Sequence, residues 1–371
     1  MSVGWLVSSA LAYLIFQVSF PTALCIGACL TPTDPVLSAS ILSNSQFSSR
    51  VPKRLKDMLS AESGCNDGVS FPFLYVGLAI LTKSSGGSAV KYWLLNTVLY
   101  QCTAGIIVGL IIGTAFNRVL RYCDRKEYIS PSAFIVFYLL LAALSIGVGS
   151  TVGLDDFLVA FGCGYGFSRD GWFSRKTHEA HLPQVVDLIL NSSMFVYFGT
   201  VIPWHMFTPH EITPYVTPVR LLAFLILILL LRRIPIVYAL QKFTPDIRTS
   251  REALFCGHFG PMGLGGLFLA IEGRAVLETG TSEALPHPPD YLAPPYTARQ
   301  MGAETIWPVI SFVVFGSTLV HGLSVAALSV IGHFQRKEGE RAPLLAAETD
   351  PLDGMAHEGG GGDSQPETEE E

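Results

Sequence analysis

The sequence predicts an all-α membrane protein of about ten transmembrane helices. Three observations carry this. Half of the 371 residues are hydrophobic and only 15% are charged, whereas soluble domains carry about a quarter charged residues. Ten apolar stretches are each long enough, at roughly 20 residues, to cross the hydrocarbon of a bilayer. Lys and Arg collect in alternate connections between those stretches, as they do when alternate loops face the cytoplasm.

The first stretch, 3–20, follows Met1 directly, with no basic segment or cleavage site ahead of it, and reads as a span rather than a signal peptide. The others are 22–42, 60–82, 92–117, 130–150, 152–168, 185–204, 216–242, 253–272 and 305–332. The fifth and sixth are joined by a few residues around Gly149–Gly153. Of the 24 Lys and Arg, 17 fall in the connections 43–59, 118–129, 169–184 and 242–252 and at the start of the tail. Five lie on the opposite side, and Arg232 and Arg233 lie inside a stretch. This split predicts both termini on the cytoplasmic side.

The formal net charge of −6 owes much to the tail, since Ala342 to Glu371 holds acidic residues and no Lys or Arg. Residues 335–371 therefore read as a disordered acidic tail, and 279–300 as a Pro-rich extracellular loop. Nothing in this balance suggests nucleic-acid binding. The seven cysteines show no zinc or disulfide spacing. No phosphate-binding loop, voltage-sensor arginine repeat, selectivity-filter sequence or nucleophile–base cluster is present, which argues against a pump, a channel of known type and an enzyme, and for no cofactor.

Polar groups at membrane depth are costly, so each such place is a functional hypothesis. Thr31-Pro32-Thr33-Asp34-Pro35 lies midway along the second stretch. Two prolines so close cannot sit in an unbroken helix. Unwound backbone is tolerated at depth only where it is buried in protein or lines a wet cavity. A plain proline kink would need no Asp between the prolines.

Glu62, Ser63, Asn66 and Asp67 lie in the third stretch. Glu62 and Asn66 are four apart, as are Ser63 and Asp67, so two carboxylates, an amide and a hydroxyl line one sector of a helix. Oxygen ligands of this kind suit a hard cation such as Na⁺, and one carboxylate there can exchange a proton for a cation. Glu62 alone also fits an interfacial, solvated position.

Arg232-Arg233-Ile234-Pro235 follows the apolar run Leu221–Leu231, which is too short to span alone. Continuing the helix to Leu240 puts at least one guanidinium inside the protein, with Glu62 as its best partner, unless both snorkel to the headgroups. Gly257 to Gly266 holds five glycines and Pro261. Tight helix packing through small residues is one account of it. A second interruption in the later half of the chain, matching Pro32–Pro35, is also the sequence sign of an inverted-repeat transporter. His258 alone reads as structural.

These residues carry a resemblance. Leu30–Leu37, Ala61–Gly68 with Phe71-Pro72-Phe73, and Gly171-Trp172-Phe173 resemble the fungal plasma-membrane sodium(potassium)/proton antiporters of the monovalent cation:proton antiporter superfamily. Phe195–Gly199 with Pro203-Trp204, Arg232–Pro235, Arg251–Phe255 and Gly257–Pro261 carry it further, over about residues 1–335.

The resemblance implies an inverted-repeat antiporter fold with two crossing discontinuous helices, at Pro32 and Pro35 and at Gly260, Pro261 and Gly263. It implies a core domain over 1–117 (with a linker helix) and 205–334, part of a dimerisation domain over 118–204, and a homodimer in the plasma membrane. It implies Asp67 as the essential cation/proton carboxylate, with Thr33, Asp34 and Ser63 as supporting Na⁺ ligands and Asn66 accompanying Asp67. Glu62 would pair with Arg232 or Arg233. The family has two or three helices ahead of the first one here, so the chain reads as N-terminally truncated. The activity implied is exchange of Na⁺, Li⁺ or K⁺ for protons. A cation channel and a non-transporting truncated protein are the alternatives.

Overall fold

Proline, glycine and capping side chains set where the helices start and stop. The computed structural model describes residues 1–34, 51–130, 133–177, 182–285 and 292–334, and every regular element among them is helical. Helix α1 (Ser2–Phe16) turns through Gln17, at φ 50°, into α2 (Phe20–Leu30). Ser19 Oγ caps α2 by accepting from Thr22 N at 3.3 Å, with Pro21 in the first turn, where its missing N–H leaves no bond unmade.

α2 stops at Leu30, just before Pro32, and the chain is unwound through Asp34. α3 (Lys53–Thr82) is followed by α4 (Gly86–Arg125), a continuous 40-residue helix whose Trp93–Ala104 segment is π-wound. Next come α5 (Ala133–Val152), α6 (Asp156–Ser168), the short α7 (Trp172–Thr177) and α8 (Leu182–Val201). Asp155 Oδ1 caps α6 by accepting from Leu158 N at 3.1 Å.

The last third holds α9 (Pro218–Leu231), α10 (Ile234–Leu240), α11 (Ser250–His258), α12 (Leu264–Thr279) and α13 (Ala298–Phe334). Thr249 and Glu252 form a reciprocal capping box at the start of α11. Arg54, at the start of α3, grips Glu252 through both carboxylate oxygens, at 2.6 and 3.2 Å, tying α3 to α11.

Among the described residues, four helical stretches can cross a membrane by length and composition: Lys53–Thr82, Gly86–Arg125, Pro218–Phe243 and Ala298–Ser324. Ser2–Phe16, Phe20–Leu30, Val136–Val152 and Leu188–Val201 are shorter apolar helices. The second half of the expected 22–42 span, with Pro35, lies outside the described residues, as do 286–291 of the Pro-rich loop and the tail from 335. The expected single helix over 216–242 is divided at Arg232–Arg233. Pro235 cannot donate to Leu231 and its ring crowds that carbonyl, so Arg233 departs from helical geometry at φ −124°.

Helices pack through glycine where backbones come closest. On α4, Gly109 and Gly113 face the carbonyls of Val159 and Cys163, while Gly162 and Gly166 of α6 face those of Ile106 and Leu110. Interlocking small residues let helices associate where lipid is as apolar as leucine. One continuous apolar core joins α1, α2, α3, α9, α12 and α13, and a smaller one joins α4, α5 and α6.

This packing gives a test. A Cβ at Gly113 meets the Cys163 backbone, whereas one at Gly164 meets nothing within 4 Å. Gly113→Ala should therefore cost about 1–3 kcal/mol, as overpacking does, and lower the thermal midpoint of the detergent-solubilised chain. Gly164→Ala should leave that midpoint in place.

Candidate functional site

The two unwound segments, after α2 and between α11 and α12, cross and hydrogen-bond to each other. Asp34 N donates to Pro261 O at 2.9 Å, and Leu264 N, at the start of α12, donates to Asp34 Oδ2 at 2.9 Å. The positive end of a half-helix thus meets a carboxylate from the other break. Gly263 is required here because a Cβ would overlap the Asp34 carboxyl group, and Gly260 because a Cβ would run into Arg233 and Thr33.

Arg232 is 5% exposed and holds both breaks. Its guanidinium donates to the carbonyls of Leu30, of Thr31 at 3.3 Å, of Pro32 at 3.5 Å, and of Gly260 at 2.5 Å. These are the carbonyls that the interrupted helices leave without partners. Arg233 has the other task. It forms a bidentate pair with Glu62, at 2.5 and 2.6 Å, and donates through Nε to Cys256 O at 2.9 Å. The choice between the two arginines is settled by the break at Arg233, which turns the neighbouring side chains toward different partners.

Thr33, in the first break, joins a hydroxyl–amide network. Thr33 N donates to Asn66 Oδ1 at 3.1 Å, Asn66 Nδ2 donates to Thr33 Oγ1 at 2.9 Å, and Thr33 Oγ1 lies 2.8 Å from Ser63 Oγ. All three residues are buried. Asp67, one residue on, is half-buried, and its carboxylate accepts no hydrogen bond and forms no ion pair among the described residues. It faces Gly265, where a Cβ would stand 2.5 Å from Asp67 Oδ1. A cavity of about 240 Å³ opens onto Glu62, Asn66, Thr31, Arg232, Arg233 and Cys256.

The structure therefore brings together Thr33, Asp34, Glu62, Ser63, Asn66, Asp67, Arg232 and Arg233, with Pro32, Gly260, Pro261 and Gly263 at the crossing; Pro35 lies outside the described residues. A transmembrane sodium/hydrogen exchanger family model matches residues 1–330. The chain belongs to that family.

A probable Na(+)/H(+) antiporter of Schizosaccharomyces pombe is 43% identical over 329 residues, covering 88% of this chain and 43% of the relative. The Na(+)/H(+) antiporter of Saccharomyces cerevisiae is 41% identical over 336 residues, 90% of this chain and 34% of the relative. The exchanger-family chain thus spans less than half the length of these two relatives. The solved structure of the sodium proton antiporter MjNhaP1 from Methanocaldococcus jannaschii superposes with a TM-score of 0.62 at 17% identity, over 90% of this chain and 77% of that one. That likeness establishes a shared fold.

The sequence reading of this exchanger-family site missed the support from α13. Ser317 Oγ accepts from Met262 N at 2.9 Å, and His321 Nε2 donates to His258 O at 2.9 Å. Both side chains reach from α13 to the backbone at the second break, and both are buried. Their signal was present as a serine and a histidine four apart in an otherwise apolar stretch.

Arg232 supplies the test of the clamp. A lysine keeps the charge but not the planar fork that reaches several carbonyls at once. Arg232→Lys should lower the thermal midpoint of the purified chain by several degrees, because each buried carbonyl left without a donor costs about 1–3 kcal/mol. A midpoint unchanged from the parent chain would show that the clamp contributes nothing.

Proposed function

We propose that the chain is the transport core of a secondary active antiporter that exchanges Na⁺, Li⁺ or K⁺ for protons. The observation that carries this reading is Asp67, a carboxylate without a hydrogen-bond or ion-pair partner among the described residues, beside the crossing of two broken helices. A carboxylate at membrane depth without a countercharge is unfavourable by several kcal/mol unless it is neutralised. A proton neutralises it, and so does a monovalent cation; it cannot hold both.

Thr33, Ser63 and Asn66 supply oxygens near that carboxylate, and Asp34 adds a second acidic group fixed at the start of α12. Such oxygen-only surroundings suit hard cations. In this reading the half-helices form a rigid site, and access alternates as the core, 1–117 with 205–334, moves against a dimerising unit that includes 118–204. The homodimer, the plasma membrane and cytoplasmic termini complete the proposal. They rest on the family, on the fungal relatives and on the one-sided distribution of Lys and Arg. The cavity beside Glu62 and Asn66 serves as the cytoplasmic approach.

The test is cation-driven dissipation of a preset pH gradient in proteoliposomes. The parent chain should give flux on addition of Na⁺, Li⁺ or K⁺, and Asp67→Asn should reduce it to background, because an amide neither releases a proton nor neutralises a cation. Flux that survives in the variant would remove Asp67 from its role. A current in a planar bilayer that runs without proton movement would favour a channel instead.

Competition also fixes the sign of a pH effect. Acid fills the carboxylate with protons, so the half-saturating cation concentration should rise as pH falls, with the maximal rate recovered at high cation. A half-saturating concentration independent of pH would contradict a single shared carboxylate.

A further inference from the structure

Another buried carboxylate lies farther along α12, beyond the level of Asp67. Glu272 sits on α12 and is 8% exposed. Its Oε1 accepts from Tyr75 Oη of α3 at 2.8 Å. No Lys or Arg pairs with it among the described residues; Arg274, two positions on, is committed to Glu278 at 2.6 Å and to Glu304 at 3.6 Å. Three other buried or half-buried acids have visible tasks: Glu62 pairs with Arg233, Glu252 with Arg54, and Asp34 caps α12. Among the described residues, Glu272 has only the Tyr75 phenol.

Its position is informative. α3 and α12 run side by side in the same sense from the crossing, since Asp67 meets Gly265 at one level and Tyr75 meets Glu272 at the next. Eight residues separate Asp67 from Tyr75 and seven separate Gly265 from Glu272, which places the pair about 10–12 Å beyond Asp67 along the helix axes. The direction is away from the basic connections. Leu74 packs onto Gly273 beside it. From α6, Asp155 and Asp156 face the same region, as does Tyr92 of α4. Asp155 caps α6 with Oδ1, while its Oδ2 is buried with no hydrogen-bond partner.

We propose that Glu272, positioned by Tyr75, is a second ion-exchanging carboxylate on the route between Asp67 and the membrane face opposite the basic loops. It takes a monovalent cation or a proton in transit. The inference rests on the antiport reading of Asp67. Two carboxylates separated by two helical turns form successive sites, and only the inner one lies at the crossing. The Tyr75 hydroxyl holds one oxygen of Glu272 and leaves the other for the cargo.

The experiment measures initial rates of Na⁺-driven proton movement in right-side-out and inside-out membrane vesicles carrying the full chain. Glu272→Gln keeps the size of the side chain and its bond to Tyr75. It should raise the half-saturating Na⁺ concentration about tenfold, a change of 1.4 kcal/mol, at the face opposite the basic loops. The value at the basic face should be unchanged. Tyr75→Phe, which keeps the carboxylate, should give a smaller rise at the same face. Equal changes at both faces, or none, would overturn the proposal.

A second measurement does not depend on flux. Infrared difference spectra of the purified chain on acidification should contain a protonated-carboxyl band that Na⁺ removes and that Glu272→Gln abolishes. Its absence from the parent chain overturns the proposal even if transport is robust. If the band is present and the parent chain carries no flux, the antiport reading fails while Glu272 still exchanges ions.

Discussion

Backbone groups exposed by a broken helix inside a membrane must find partners within the protein, because neither lipid nor bulk water can supply them. The rest of this site follows from how two breaks meet that requirement. The end of α2 leaves carbonyls at Leu30, Thr31 and Pro32 without helical partners, and the segment before α12 leaves another at Gly260. Arg232 satisfies carbonyls from both with one planar, permanently charged fork. Asp34 does the converse for amides, receiving Leu264 N on its carboxylate and giving its own N–H to Pro261 O. Each break is therefore completed by the other, and neither half would hold its shape alone.

Crossing the chains in this way also fixes distances between side chains that are remote in sequence. Thr33 belongs to the first break, and its contacts to Ser63 and Asn66 exist only because that break is pinned against α3. The same geometry sets Asp67 against Gly265, with no Cβ between them. α13 braces the second break through Ser317 and His321. Surroundings of this type let Asp67 differ from its neighbours by a single absence, that of a partner among the described residues.

Much of this was legible in the residues. Pro32 and the Gly257–Gly266 run announce the breaks because proline and glycine act on the backbone directly, whatever surrounds them. That at least one of Arg232 and Arg233 lies inside the protein follows from the length of the apolar run before them, and Glu62 was the best candidate for its partner. Which arginine takes Glu62 was not legible. Adjacent helical residues point about 100° apart at 3.6 residues per turn, and the departure at Arg233 changes that angle by an amount no propensity specifies. For the same reason the 216–242 stretch read as one helix and is two. Tyr75–Glu272 and His321–His258 were hidden differently: each partner is an ordinary residue of an apolar stretch, and only the tertiary register makes it a pair.

Formal charge at the crossing connects the architecture to the proposed exchange. Arg232 and Arg233 bring two positive charges; Glu62, Asp34 and Asp67 bring three negative ones. Four of these are neutralised in pairs or against helix ends, and the excess of one negative charge is Asp67. One proton or one monovalent cation brings the set to zero, whereas an empty site carries a net charge and a divalent ion reverses it. Moving an uncompensated charge through a low-dielectric barrier is the costly step for any carrier. In the proposed antiport, a site that is neutral only when loaded moves readily with either cargo and reluctantly when empty, which is the condition for tight exchange. The clamp and the caps matter to this balance as much as Asp67 does, because each removes from the count a charge that would otherwise compete for the ion.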